Sequence, residues 1–165
     1  RLFDFLTSIS VEGMNVAPGF CHPDAPDQKN FLNRNKTRVL FRKLFEIGQG
    51  RKWRFNHSTL YLDFLSGRRN YECTPWGNPT RNIFGWQLPC YFINDGFAAT
   101  YKELMDTTEW HRYGVGKDPR CTNCMVHCGF EPTAVMDMVA RPWKMVFSRK
   151  HNRARLAKLS VSQSG

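Results

Sequence analysis

Five of the chain's six cysteines fall within residues 73–128, in two groups that read C-T-P-W-G-N-P-T-R-N-I-F-G-W-Q-L-P-C and C-T-N-C-M-V-H-C. Any fold for this stretch must satisfy their sulfurs. In the second group, Cys121-x2-Cys124-x3-Cys128, a Cys-x2-Cys pair aims two sulfurs at one centre while the intervening amides turn inward, and a third cysteine follows within the same loop or helix start. A tetrahedral ion or a four-iron cluster wants one more thiolate, and Cys73 or Cys90 supplies it. The two groups are therefore expected to close around one metal centre, read as an iron-sulfur cluster with Cys73, Cys90, Cys121, Cys124 and Cys128 as candidate ligands. Five candidates for four places leave one spare, either Cys124 or Cys128.

Competing readings use the same residues. A structural zinc takes the same thiolates. Disulfides need an oxidising compartment, and a buried thiol without a ligand is reasonable for any single cysteine, Cys21 above all. His127 could replace a thiolate as ligand or stand behind one.

The first group is also poor in regular structure. Pro75, Gly77, Pro79, Gly85 and Pro89 interrupt it, so no long element fits, and a small domain without long elements needs a staple. Trp76, Phe84, Trp86 and Tyr91 crowd into the same stretch. They are expected to form the small domain's core around the centre, the other reading being the wall of a channel for an apolar substrate.

Upstream the pattern changes. Apolar residues recur at helical spacing over 2–9, and Val11, Met14, Val16 and Ala17 lead as a strand into Pro18-Gly19. The loop that follows, with Cys21 and His22, is barred by Pro23 and Pro26 from continuing a helix. His22 faces substrate or solvent. A surface helix is expected over 37–47, stopped by Gly48, then a short strand through Trp53 to Asn56, then a helix capped by Ser58 and closed by Gly67. Asn56, His57 and Ser58 follow that strand as Pro18 to His22 follow the first. Residues 1–67 read as two α/β repeats. Further on, Asn94 or Asp95 opens a helix through Met105, and Glu131-Pro132-Thr133 opens another that runs to Val139.

The chain begins at Arg1, inside an amphipathic pattern, and is expected to be part of a longer one. No apolar run reaches the roughly 18 residues of a membrane-spanning helix, and no signal-peptide layout opens it, so a cytoplasmic place is expected. In a reducing cytosol clustered cysteines are metal ligands more often than disulfides. The formal net charge of +10 comes from 24 Lys and Arg against 14 Asp and Glu, but seven of the bases lie beyond residue 140, without an acid among them. Without those seven the balance is 17 to 14, so nucleic acid is not the expected partner. The tail mixes Trp143 and Phe147 with Lys144, Arg149 and Lys150 in proportions suited either to an anionic membrane surface or to a solvated extension.

A family resemblance sharpens these readings. Cys73, eleven residues, Gly85, four residues and Cys90, followed later by Cys-x2-Cys, resembles the opening of the SPASM and twitch extensions of radical S-adenosylmethionine enzymes, which hold auxiliary 4Fe-4S clusters. Over roughly residues 2–137 the chain resembles the C-terminal part of the hopanoid-associated radical S-adenosylmethionine proteins, the adenosyl-hopene transferases. The likeness rests on V-E-G-M-N-V-A-P-G-F, R-K-W-R-F-N-H-S, E-L-M-D-T-T-E-W-H-R-Y-G-V-G and the two cysteine runs.

The resemblance implies a fold class: α/β, the last units of a partial radical SAM (βα) barrel over 1–67, a small irregular cysteine-rich auxiliary cluster domain over 68–140, and a basic tail over 141–165. It implies a radical SAM adenosyl transferase that adds a 5′-deoxyadenosyl radical to diploptene, an apolar polycyclic triterpene, to give adenosylhopane. It implies S-adenosylmethionine and a second 4Fe-4S cluster in the full-length enzyme. Its membrane-embedded substrate would give a use to peripheral contact of the basic tail at the inner face of the membrane, in keeping with the cytoplasmic place expected above. The initiating Cys-x3-Cys-x2-Cys motif is absent from these 165 residues, so this part alone is expected to be inactive. The alternative, from a different class, is a zinc-stapled binding module whose tail meets nucleic acid or membrane.

Overall fold

A computed structural model describes residues 1–19, 26 and 28–145. Cys21, His22 and the basic tail from residue 146 onward lie outside the described residues. The chain divides into two compact units. One holds residues 1–16, 37–70 and the described residues from 134 onward, and the other holds 71–133 with the described residues of 17–36.

The first unit holds α1 (Leu2–Ser8), α2 (Arg34–Ile47, from Thr37 onward) and α3 (Thr59–Leu65), and α1 and α2 contribute to a ladder of rings. Phe3 meets Trp53 at 5.0 Å and Phe55 at 5.6 Å, and Phe45 reaches Phe55 at 5.9 Å. The two segments read as strands meet in one parallel bridge, Met14 with Phe55. The Met14 amide donates to the Arg54 carbonyl, and the Asn56 amide donates to the Met14 carbonyl. At the same edge the Val16 amide donates to His57 Nε2 at 3.1 Å, so His57 is engaged by the backbone.

The expected helix over 37–47 forms as α2, and Ser58 caps α3, accepting from the Tyr61 amide at 3.2 Å. Leu60, Tyr61, Phe64 and Leu65, on successive turns of α3, are all fully buried. Burying them wholly removes about 1.5–3 kcal/mol worth of apolar surface each from water, so α3 is the unit's hydrophobic anchor.

The second unit contains a three-stranded antiparallel sheet of β1 (Arg81–Asn82), β2 (Gly85–Leu88) and β3 (Gly96–Ala98), in that order. Asn82 pairs with Gly85, which makes Ile83 and Phe84 the link of a tight hairpin. Beyond the sheet, α4 (Tyr101–Thr107) starts at Thr100 rather than at Asn94 or Asp95, because β3 occupies the residues between. Thr100 Oγ1 accepts from the Glu103 amide, and Glu103 Oε2 accepts from the Ala99 amide. This is close to a capping box, with donors at the helix start satisfied reciprocally.

The last helix, α5 (His127–Ala140), corrects the start expected at Glu131. It begins four residues earlier, and Pro132 lies inside it. Proline deletes the donor that the Cys128 carbonyl would receive and opens that turn. The next carbonyl, that of Gly129, accepts instead from the Thr74 amide at 2.7 Å and from Thr74 Oγ1 at 3.2 Å. The first turn of α5 is thus a docking point for another loop. Among the described residues no helix is long and apolar enough to cross a membrane.

Candidate metal centre

Four local devices bring the cysteine segments together. Thr74 docks on Gly129, and Thr133 Oγ1 donates to the Glu72 carbonyl at 2.9 Å, so the residues on both sides of Cys73 are tied to the first turns of α5, where Cys128 sits. Gly129 makes that approach possible: a Cβ there would lie 2.2 Å from Cys73 Sγ. Cys90 leaves the end of β2 by two residues. Finally, the Arg120 guanidinium grips both oxygens of Asp95 at 2.5 and 2.9 Å and also Asp118, drawing the loop before Cys121 against the loop after Cys90.

The result is a cavity of about 30 Å³ lined by all five cysteines, together with Phe92, Ile93, Val115 and Phe130 among others. All five thiols are free. Cys128 is buried and the other four are half-buried. Among the described residues, no three Cys, His, Asp or Glu side chains are arranged to hold a single metal ion. The sulfurs are spread around the wall of the shared cavity instead.

Electrostatics link them. Burial, then the charges of neighbouring thiols, pushes the Cys73 thiol far above its ordinary range; its neighbours in this sense are Cys124, Cys128, Cys90 and Cys121. Burial likewise raises Cys128 to about 12 and Cys124 to about 11, and it raises Cys121. Backbone groups pull the other way: those of Gly114, Val126 and Gly129 hydrogen-bond to Cys121, Cys124 and Cys128 respectively and favour the thiolate. Tyr91 donates to Cys128 as well, and burial holds its own hydroxyl protonated. Clustered thiols that resist ionisation beside one another, yet face hydrogen-bonding backbone, are chemically matched to a cationic partner that neutralises them. The donor set is soft, all sulfur, and fits a thiolate-bound centre.

One pH dependence follows for the metal-free protein. Thiols at about 11 and 12 in the folded chain, against roughly 8.5 unfolded, mean that the folded state keeps protons the unfolded state releases. Their contribution to stability is whole below the unfolded value and is lost as pH rises through the folded ones. The urea midpoint of chelator-treated protein is expected to fall steadily above pH 8.5. A midpoint that held or rose there would show that the thiols are not buried together.

The aromatic residues are arranged differently from the expected core. Phe84 is 71% and Trp76 41% exposed, and Trp86 and Tyr91 are half-buried. The ring that fills the interior is Phe130, fully buried on α5, with the Arg34 guanidinium 5.1 Å from its centre. The one mark Phe130 carries in the sequence is its place two residues beyond Cys128. Gly129, Thr74 and the Arg120 clamp, which fix the thiols without carrying chemistry, have no such mark. His127 opens α5.

This is a cysteine-lined centre in a unit of short elements, held by loops docked on a helix start. A family model described as a domain of unknown function, DUF3463, matches residues 14–148, most of the chain and both cysteine groups, and the protein belongs to that family. No curated protein and no solved structure matches.

Proposed function

We propose that this chain is the C-terminal part of a radical S-adenosylmethionine enzyme of hopanoid biosynthesis, and that four of Cys73, Cys90, Cys121, Cys124 and Cys128 hold an auxiliary 4Fe-4S cluster. The observation that carries the reading is the convergence of five free thiols on one cavity. The cluster reading is preferred to zinc on the sequence resemblance to auxiliary-cluster extensions and on the all-sulfur donor set. Such a centre, when bound, supplies electron transfer or a rigid anchor. The chain's own part is to present thiolates, hydrogen-bond them from the backbone and Tyr91, and keep water out with Phe92, Ile93 and Phe130. The substrate assignment, diploptene, and the partial barrel fold rest on the sequence resemblance.

Anaerobic reconstitution with iron and sulfide tests the proposal. About four irons and four sulfides per chain, with a broad charge-transfer absorption near the visible range, are expected for one such cluster. Tight stoichiometric zinc with no such band would replace the cluster by a structural ion and turn the chain into a stapled binding module.

A further inference from the structure

A two-residue hairpin link ordinarily takes Asn, Gly or Asp, whose backbones suit the turn. This one takes Ile83 and Phe84, which stand 91% and 71% exposed. The turn chemistry is supplied by their neighbours: Asn82, whose Oδ1 accepts from the Phe84 amide at 2.9 Å, and Gly85 at φ +136°. That leaves the two link positions open to most residues, and burial does not account for the choice of two large apolar ones. Behind the tip each sheet face carries an aromatic residue. Gln87 pairs with Phe97 and Trp86 with Ala98, so Phe97 and Trp86 lie on opposite faces. Phe97, 38% exposed, has its ring 5.5 Å from that of Phe84, and Trp86 packs at 5.3 Å against Tyr101, itself 48% exposed. Two exposed bases flank the second pair: Arg81, opposite Trp86 in the ladder, and Lys102, beside Tyr101. Lys102 pairs with Asp106 in an exposed contact that is worth little.

We propose that the β1–β2 tip is a membrane-docking finger. Ile83 and Phe84 enter the acyl boundary, Trp86 and Tyr101 settle at headgroup level as amphipathic rings do, and Arg81 and Lys102 meet anionic headgroups. A second copy of the chain is the poorer occupant. The exposed parts of Ile83, Phe84 and Phe97 amount to roughly 400 Å², against about 800 Å² per partner in a stable interface. A protruding turn also needs a matching groove in a folded partner, whereas a fluid bilayer closes around it. The inference does not depend on which metal the thiols hold.

Sedimentation of the full chain with vesicles of phosphatidylcholine containing phosphatidylglycerol tests it. The wild type is expected to sediment with a blue shift in tryptophan emission, and the Ile83→Ser/Phe84→Ser variant to partition at least about tenfold less. Circular dichroism and metal content should be unchanged in that variant, because both positions are exposed. Arg81→Gln/Lys102→Gln should weaken binding to the anionic vesicles and leave the weaker binding to pure phosphatidylcholine as it was. Equal sedimentation of the serine variant, or no wild-type binding, would overturn the proposal. So would a wild-type dimer that the serine variant abolishes, which would assign the tip to a second copy.

Discussion

Cys90→Ser is expected to lower iron retention after anaerobic reconstitution by at least about 100-fold, beyond the 10–100-fold typical of losing a residue that only supports a ligand. Cys90 lines the same cavity as the other four thiols and is the one delivered to it by the sheet, two residues beyond β2. The serine hydroxyl is a harder and far less acidic donor and does not substitute for a thiolate. Gly129→Ala is the companion variant. Alanine favours a helix over glycine by about 1 kcal/mol, yet its Cβ would collide with Cys73 Sγ. The thiol must swing away, so the fold should hold while iron retention drops about 10–100-fold, with all five cysteines still present. Cys124→Ser and Cys128→Ser, compared side by side, identify the spare thiol as the one whose loss leaves iron bound. Wild-type iron content in Cys90→Ser would remove Cys90 from the centre and with it the proposed ligand set.

Gly85→Ala should be the most damaging single methyl in the sheet. Gly85 sits at φ +136°, and an added Cβ would lie 2.6 Å from the Ala98 carbonyl oxygen. The backbone conformation alone costs a side-chain-bearing residue about 1–3 kcal/mol. The clash is with backbone of the paired β3, which cannot rotate away, and overpacking of this kind adds about 1–3 kcal/mol. A loss of about 2–6 kcal/mol in urea unfolding is therefore expected. Because β2 ends two residues before Cys90, iron retention should fall with it. A loss under about 1 kcal/mol, the ordinary size for a point substitution, would mean that the hairpin pairs differently.

Helix existence was legible in the sequence where periodicity and a cap coincided: α2 from its apolar stripe, α3 from Ser58. At α5 the helix was legible but its start was not, because the starter cue, proline after an acid, stands inside the helix. Local rules assign Pro132 to a first turn. The carbonyl left without a donor by Pro132 is that of Cys128, and the turn beside it is held by the distant Thr74 on the Gly129 carbonyl, a contact no local rule announces. The cysteines were legible as one set because spacing within each group is local. What draws the groups together was not, since Gly129 against Cys73 and Arg120 against Asp95 are contacts between residues 25 or more apart. The aromatic residues misled for a related reason. Composition reports how much apolar surface a segment owns, and it does not say which rings turn inward.

The Thr74 and Thr133 bonds and the Arg120 clamp are made by backbone, hydroxyl and carboxylate groups, and none of them uses sulfur. The loops that carry the thiols are therefore tied to one another independently of sulfur chemistry, so a cysteine-to-serine change should unseat a bound centre without releasing the loops.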